Sequence, residues 1–178
     1  MSSPDDRFAQ PAEFGEGSVW IDRVGVREFT GHTRGGVEIP IGHGEGMVSP
    51  GELLKLALLG CAGMSADLAI GRRVGEGYDL RLHAHGVSDP DTNRYAAVEE
   101  QLQLDVAELD EKQIATLRKV IAQAIAVGCT VERSVTPGLP VHHVLLDSAA
   151  TPMSTAHATP TSTSGAAPAP TPDGEEQA

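Results

Sequence analysis

The chain has few basic and few aromatic residues, and both scarcities limit what it can do. In 178 residues, 13 Lys and Arg stand against 25 Asp and Glu, which gives a formal net charge of −12, and the basic residues form no run. Such a chain is not expected to bind nucleic acid or an anionic membrane. Aromatic residues are 3% of the chain, whereas hydrophobic residues are 40%. The core must therefore be built from Leu, Val, Ile and Ala.

Common catalytic motifs are also missing from the sequence. There is no CxxC or HExxH motif, no Gly-rich phosphate loop and no GxSxG elbow. The chain has two cysteines, and its N-terminus lacks the charged-then-apolar pattern of a secretion signal. These features predict a cytoplasmic protein whose cysteines are redox-active or unpaired rather than a structural disulfide.

The longest apolar run extends from Ser49 to Arg72, and Cys61 lies in its middle. Good helix formers dominate this run, and Pro50 near its start is typical of a helix N-terminus. Because the run is apolar on nearly every side, we predict a central helix that the rest of the domain buries. Its charged residues argue against a membrane span.

Alternating apolar residues and turn signals predict the other elements. Three strands are expected before the central helix, at 18–22, 26–30 and 36–41, with a turn at 23–25 and Pro40 at an edge. Two strands follow it, at 78–85 and 98–106. A helix over 110–128, capped by Asp110 and Gln113, precedes strands at 130–135 and 141–146. This order of elements predicts an α+β fold.

The composition of the two ends predicts a single domain with tails. Residues 1–15 are polar and contain Pro and Gly, which is typical of a flexible arm. Residues 148–178 are mostly Ala, Thr, Ser and Pro and cannot bury enough surface to offset their ordering entropy. We therefore predict one domain over 16–147 and a disordered C-terminal tail.

The two cysteines are the main candidates for chemistry, although a packed, inert thiol is the alternative for each. Burial raises the pKa of a thiol, and the helix dipole acts only near helix ends. Reactivity at Cys61 would therefore need a nearby cation, for which Arg23, Arg27 and Arg34 are candidates. Cys129 follows a predicted helix C-terminus, whose partial negative charge disfavours a thiolate. Cys129 is therefore better suited to resolve an oxidised thiol than to attack.

Histidines offer a different hypothesis. His83 and His85 share one face of a predicted strand, a spacing that is compatible with a metal site. The same face carries other charged residues, which is more typical of a solvated surface. His142 and His143 point to opposite sides of a strand and cannot act as a local pair.

One extended pattern resembles a known family. The pattern S-P-G-E-L-L-x(6)-C at 49–61, followed by a capped helix and Cys129, resembles the OsmC/Ohr family of osmotically inducible and organic hydroperoxide resistance proteins. The strings GHTRGGVEIPIG and PGELLKLALLGCAGMSAD look more like the OsmC-like branch. The resemblance covers about residues 18–146. It implies an OsmC-like fold in which antiparallel sheets wrap around two central helices, in an intertwined homodimer with active sites at the subunit interface.

The resemblance also implies an activity. Relatives of this type are two-cysteine thiol peroxidases that reduce organic hydroperoxides, with hydrogen peroxide as a further candidate substrate. In this chain Cys61 would take the peroxidatic position and form a sulfenic acid, and Cys129 would resolve it as a disulfide. No bound cofactor is implied, but an external dithiol reductant is, either lipoyl-type or another thiol. The alternative is a non-catalytic OsmC-like stress or small-ligand binding protein.

Assisting residues follow from the same resemblance. Arg23, in the string Arg-Val-Gly, matches the family's Arg-x-Gly turn, and Arg27 is the second candidate. Glu52 stands one position after the acid of the Ohr branch, where this chain has Gly51. On a continuous helix Glu52 would lie about 13.5 Å along the axis from Cys61 and half a turn away. It could therefore assist Cys61 only if the helix begins after it, or if it acts through an arginine or across a dimer; its alternative role is a helix N-terminal charge.

Overall fold

The computed structural model describes Pro11 and residues 14–147. The predicted C-terminal tail, 148–178, and most of the predicted arm, 1–15, lie outside the described residues. In chain order the described elements are β1 (Val19–Gly25), β2 (Glu28–Thr33), β3 (Glu38–Ile41), α1 (Pro50–Val74), β4 (Leu80–Asp89), β5 (Arg94–Leu104), α2 (Glu111–Gly128), α3 (Thr130–Val135) and β6 (Val141–Asp147). The α+β class is confirmed.

The first three strands form an antiparallel sheet in the order β1-β2-β3. Its first turn was predicted at 23–25, which is wrong: pairing continues to Gly25 opposite Glu28, and Arg27 in the turn takes a φ of 61°. Arg23 is therefore a strand residue opposite Phe29. Pro40 is exposed on β3, which lies at the edge of this sheet as predicted.

The second sheet has the order β4-β5-β6 and combines two kinds of pairing. β4 and β5 form an antiparallel hairpin, and the inner and outer faces of β4 alternate as predicted. β5 begins at Arg94, four residues before the predicted start. β6 pairs parallel to β5, with Val98 opposite Val141, so this sheet is not wholly antiparallel. A parallel neighbour needs a long crossover, which here consists of α2 and α3.

Residues 130–135 form the short helix α3, so the predicted strand there is wrong. Cys129 is the C-cap residue of α2 and also the N-cap residue of α3. As N-cap, its Sγ accepts a hydrogen bond from the Glu132 N–H at 3.4 Å. This cap starts a helical turn where the β-branched residues suggested a strand. Strand propensity depends on context, and the packing of α3 beside α1 overrides it here.

Both long helices begin as predicted, with capping boxes at Ser49/Glu52 and Asp110/Gln113. α1 packs one face against α2 and the second sheet, through the buried stripe Leu58, Ala62, Ala66 and Ile70. A second stripe on the opposite face is exposed and consists of Leu56, Gly60, Met64 and Leu68. The prediction of a helix buried on all sides is therefore wrong for a single chain.

The core lies between α1, α2 and the inner face of the second sheet. Among the described residues its fully buried hydrophobic members are aliphatic side chains and Cys129, as the low aromatic content predicted. α1 has the length and apolarity of a membrane-spanning helix, a property that core helices of soluble proteins share. In this fold, the buried stripe of α1 packs in the core of the domain.

Candidate active site

The structure places the two cysteines side by side. Cys61 lies in the fourth turn of α1 and is partly buried, whereas Cys129, at the junction of α2 and α3, is fully buried. Both thiols are free, and the Cys129 S–H donates a hydrogen bond to the Cys61 sulfur. Residues that are 68 positions apart in the sequence thus form one thiol pair.

A glycine makes this close approach possible. Gly128 was predicted only as the end of α2, and it is the last residue of that helix. A Cβ atom at this position would lie 3.1 Å from Ser65 Oγ and 3.2 Å from Ser65 Cβ. Because Gly128 has no side chain, the end of α2 can rest on α1 one turn beyond Cys61. Cys129, the next residue after Gly128, then lies beside Cys61.

Hydrogen bonds lower the pKa of the Cys61 thiol below its ordinary value. Burial by itself raises this pKa, but donors from the facing segment outweigh it. They are the backbone N–H of Val131, the thiol of Cys129 and the backbone N–H of Thr130, with the Ser65 hydroxyl on α1 adding to them. Donors that stabilise a charged form favour that form. The first turn of α3 thus stabilises the Cys61 thiolate, a role that was expected of a nearby cation.

The pKa of Cys129 moves in the opposite direction, to about 11. Burial is the largest cause, and the hydrogen bond that its thiol donates to Cys61 is the next. The Glu132 N–H opposes the rise, while the Cys61 and Glu132 charges add to it. The pair therefore consists of one thiol that ionises readily and one that stays protonated. This is the asymmetry that an attacking and a resolving thiol need.

The predicted arginines lie on the N-terminal sheet, which makes few contacts with the rest of the chain. Arg23 is exposed on β1, Arg27 is exposed in the β1–β2 turn, and Arg34 is exposed after β2. A single chain therefore does not bring these side chains into the buried thiol pair. Their assignment as partners of Cys61 stays a prediction that needs a second chain.

Glu52 lies at the N-terminus of α1, where it acts in the capping box. Its Oε2 accepts hydrogen bonds from the Ser49 N–H at 2.8 Å and from the Ser49 hydroxyl at 2.6 Å. These bonds lower the pKa of Glu52, and the nearby Lys55 lowers it further. α1 is continuous from Glu52 to Cys61, so within one chain the two are separated by nine residues of helix. The helix-charge role is the one that the geometry of a single chain supports.

A buried ionisable cluster beside the thiols was not found by sequence analysis. His143 Nε2 on β6 lies 3.2 Å from Glu100 Oε2 on β5 and 3.6 Å from Glu132 Oε2 on α3. Glu100 is 1% exposed. The interaction with Glu100 raises the pKa of His143 above its ordinary value, against the effect of burial. One signal was present: Glu100 breaks the apolar face of β5 at a position that must face inward.

The histidines of the metal hypothesis lie elsewhere. His83 and His85 are exposed on β4, opposite Gln101 and Glu99. Within residues 14–147, no group of three or more His, Cys, Asp or Glu side chains is arranged to hold a metal ion. The described part of the chain therefore provides no third ligand for this pair.

Comparisons with known proteins agree with this architecture. Residues 42–144 match the family model described as OsmC-like protein. An uncharacterized protein of Mycobacterium tuberculosis is 35% identical over 134 residues, which cover 74% of this chain and 98% of the relative.

Solved structures show the same fold at low identity. An OsmC-like protein of unknown function from Vibrio cholerae superposes with a TM-score of 0.59 at 18% identity, over 75% of this chain and 100% of that one. The organic hydroperoxide resistance protein OhrB of Bacillus subtilis gives a TM-score of 0.53 at 14% identity, over 74% and 98%.

Proposed function

Because this chain belongs to the OsmC-like family, we propose that it is a two-cysteine, thiol-dependent peroxidase acting in oxidative stress defence. The observation that carries the proposal is the pair Cys61 and Cys129, in which hydrogen bonds lower one thiol pKa and burial raises the other. The name of the Bacillus subtilis neighbour, an organic hydroperoxide resistance protein, supports the same class of substrate.

The proposed reaction uses each thiol once. The Cys61 thiolate attacks one oxygen of the peroxide, the O–O bond breaks, and the leaving alkoxide takes a proton to become an alcohol. Cys61 is then a sulfenic acid. Cys129 gives up its proton and attacks the Cys61 sulfur, so that an S–S bond forms and hydroxide leaves as water. The peroxide is reduced by two electrons and the thiol pair is oxidised by two.

An external dithiol would return the pair to its reduced state by thiol–disulfide exchange, and lipoyl-type groups are candidates.

Organic hydroperoxides are the proposed substrates, with hydrogen peroxide as a second one. A groove lined mostly by apolar side chains supports an apolar substrate; its lining residues are Met47, Val48, Leu56, Leu59 and Ala84, together with the charged Glu52 and Lys55. We place the reaction in the cytoplasm, because Cys61 must be re-reduced after every turnover.

Peptide mapping tests this function directly. The reduced protein is treated with one equivalent of cumene hydroperoxide, remaining thiols are blocked, and the intact mass and the disulfide-linked peptides are determined. We expect a loss of about 2 Da that maps to a Cys61–Cys129 link. Two blocked, free thiols would contradict the proposal and favour the alternative, a non-catalytic OsmC-like stress or small-ligand binding protein.

We also propose that the chain functions as a homodimer, in which α1 of each subunit is covered by the partner. The exposed stripe of α1 and the exposed apolar side chains of the N-terminal sheet, Trp20, Ile21 and Val24 among them, are not buried against each other in a single chain. Apolar surface of this kind is typical of an interface. A partner's sheet would also bring its arginines towards α1.

A charge in the exposed stripe should separate the subunits. Met64 is 82% exposed, so Met64→Glu is tolerated in a monomer but would place a charge inside the proposed interface. We expect sedimentation velocity to show a dimer for the native protein and a shift of at least about tenfold in the dissociation constant for the variant. Ala115→Glu, on the exposed face of α2, is the control and should remain dimeric. A native monomer would contradict the proposal.

A further inference from the structure

The first turn of α3 is held from both of its sides by polar contacts, and these contacts suggest a role for the buried ionisable cluster. Towards α1, α3 packs beside the helix that carries Cys61, and the N–H groups of Thr130 and Val131 help to lower the pKa of its thiol. Towards the second sheet, the Glu132 side chain, which is 17% exposed, faces His143. α3 has only six residues and also packs beside α1.

We propose that Glu132, held by His143, which is itself paired with Glu100, is a positioning residue that fixes the first turn of α3 so that its N–H groups face Cys61. This inference rests on the proposed function for its purpose, since it explains how the pKa of the attacking thiol is kept below its ordinary value. It assigns the ionisable cluster to the thiol site rather than to general stability of the fold.

The geometry of the cluster supports a rigid anchor. Glu100 is nine-tenths or more buried on the central strand β5, and His143 is held at 3.2 Å from its carboxylate on the neighbouring strand β6. Among the described residues, the buried side-chain polar atoms that lack a hydrogen bond all belong to Glu100, Glu132 and His143. The attraction of His143 for each of the two carboxylates is therefore the interaction that holds the cluster together, since Glu100 and Glu132 repel each other.

The same residue connects the anchor to Cys129. The Glu132 backbone N–H donates to Cys129 Sγ at 3.4 Å, while the Glu132 carboxylate contacts His143 at 3.6 Å. A shift of Glu132 would therefore move the cap of α3 and the two N–H groups beside it. Donor geometry decides the strength of such hydrogen bonds, which weaken steeply as the angle worsens.

Glu132→Gln is the discriminating variant, because it keeps the backbone and the size of the side chain but removes its charge. The rate of alkylation of Cys61 by iodoacetamide is measured across pH by peptide mass. If Glu132 positions α3, the inflection of the alkylation rate of Cys61 moves to higher pH. The rate at pH 7 then falls by about fivefold, because the N–H groups that donate to the thiolate are weakened as donors. Loss of a negative charge alone would move the inflection to lower pH. A shift downward, or no shift, overturns the proposal.

Two further variants keep the test decisive. Glu99→Gln makes the same chemical change on the exposed side of β5 and should leave the Cys61 inflection unchanged. His143→Gln breaks the same contact from β6 and should also move the inflection upward. If either His143→Gln or Glu132→Gln folds, as shown by its circular dichroism, and leaves the inflection unchanged, the proposal falls.

The alkylation experiment does not require peroxide turnover. A native protein that consumes no peroxide but shows the Glu132-dependent inflection would refute the proposed function and leave this inference standing. If the native protein consumes peroxide but the Cys61 inflection does not depend on Glu132, the proposed function stands and this inference is refuted.

Discussion

Replacement of Cys61 by serine is expected to abolish peroxide consumption, with a loss of at least about a thousandfold in rate, as is typical when a nucleophile is removed. A serine hydroxyl stays protonated at neutral pH, and it gains no comparable reactivity from the Thr130 and Val131 N–H groups that face it. The measurement is the consumption of cumene hydroperoxide with a dithiol reductant. The Glu99→Gln variant serves as a surface control.

Cys129→Ser should behave differently, and this difference makes the assignment of roles testable. Cys61 would still attack one equivalent of peroxide, but no disulfide could form within the pair. We expect one turnover and a sulfenic acid at Cys61 that dimedone traps, followed by slow or absent recycling. If Cys129→Ser failed to react at all while Cys61→Ser still did, the roles of the two thiols would be reversed.

The second large effect is expected on stability, from the replacement of His143 by alanine. This change leaves the Glu100 carboxylate buried without its partner. Removing one member of a buried charged pair costs roughly 3–5 kcal/mol of the free energy of unfolding. His142 lies next to it in the chain but is exposed on the other face of β6, so His142→Ala should cost no more than about 0.5 kcal/mol. Urea denaturation measures both.

The pH dependence of this stability has a defined sign. The pKa of His143 is raised in the folded protein, chiefly by Glu100. Its contribution is therefore fully present below the ordinary histidine pKa of about 6.5 and is lost as the pH rises through the raised folded pKa. The free energy of unfolding of the native protein should fall over that range, and His143→Ala should not show this fall. Equal pH profiles for the two would contradict the assignment.

Local signals allowed most of the fold to be predicted. The starts of α1 and α2 were correct because their signals are local: Pro50 opens α1, and the capping box of Asp110 and Gln113 acts over four residues of sequence. The inward and outward faces of β4 were correct because strand alternation is equally local. The β1–β2 turn failed by two residues because Arg27 adopts a left-handed conformation that its residue type does not announce.

The site was predictable in its thiols but not in what activates them. Cys61 and Cys129 stand out in the sequence, whereas the donors that lower the pKa of Cys61 are backbone groups of Thr130 and Val131. Every residue except proline carries such a group, so only its position in the fold makes it functional. The strand predicted at 130–135 concealed that position. Glu100, by contrast, could have been recognised, since it interrupts an otherwise apolar strand face.

The parallel pairing of β5 and β6 has a consequence for the newly made protein. Because of the crossover that this pairing needs, α3 begins 69 residues after Cys61 in the chain, and His143, which faces Glu132, follows on β6. Until these segments are made, the emerging chain lacks the donors of α3, so Cys61 keeps the ordinary pKa of a thiol and is mostly protonated at neutral pH. In the emerging chain, Cys61 is thus expected to react more slowly with oxidants than in the folded protein.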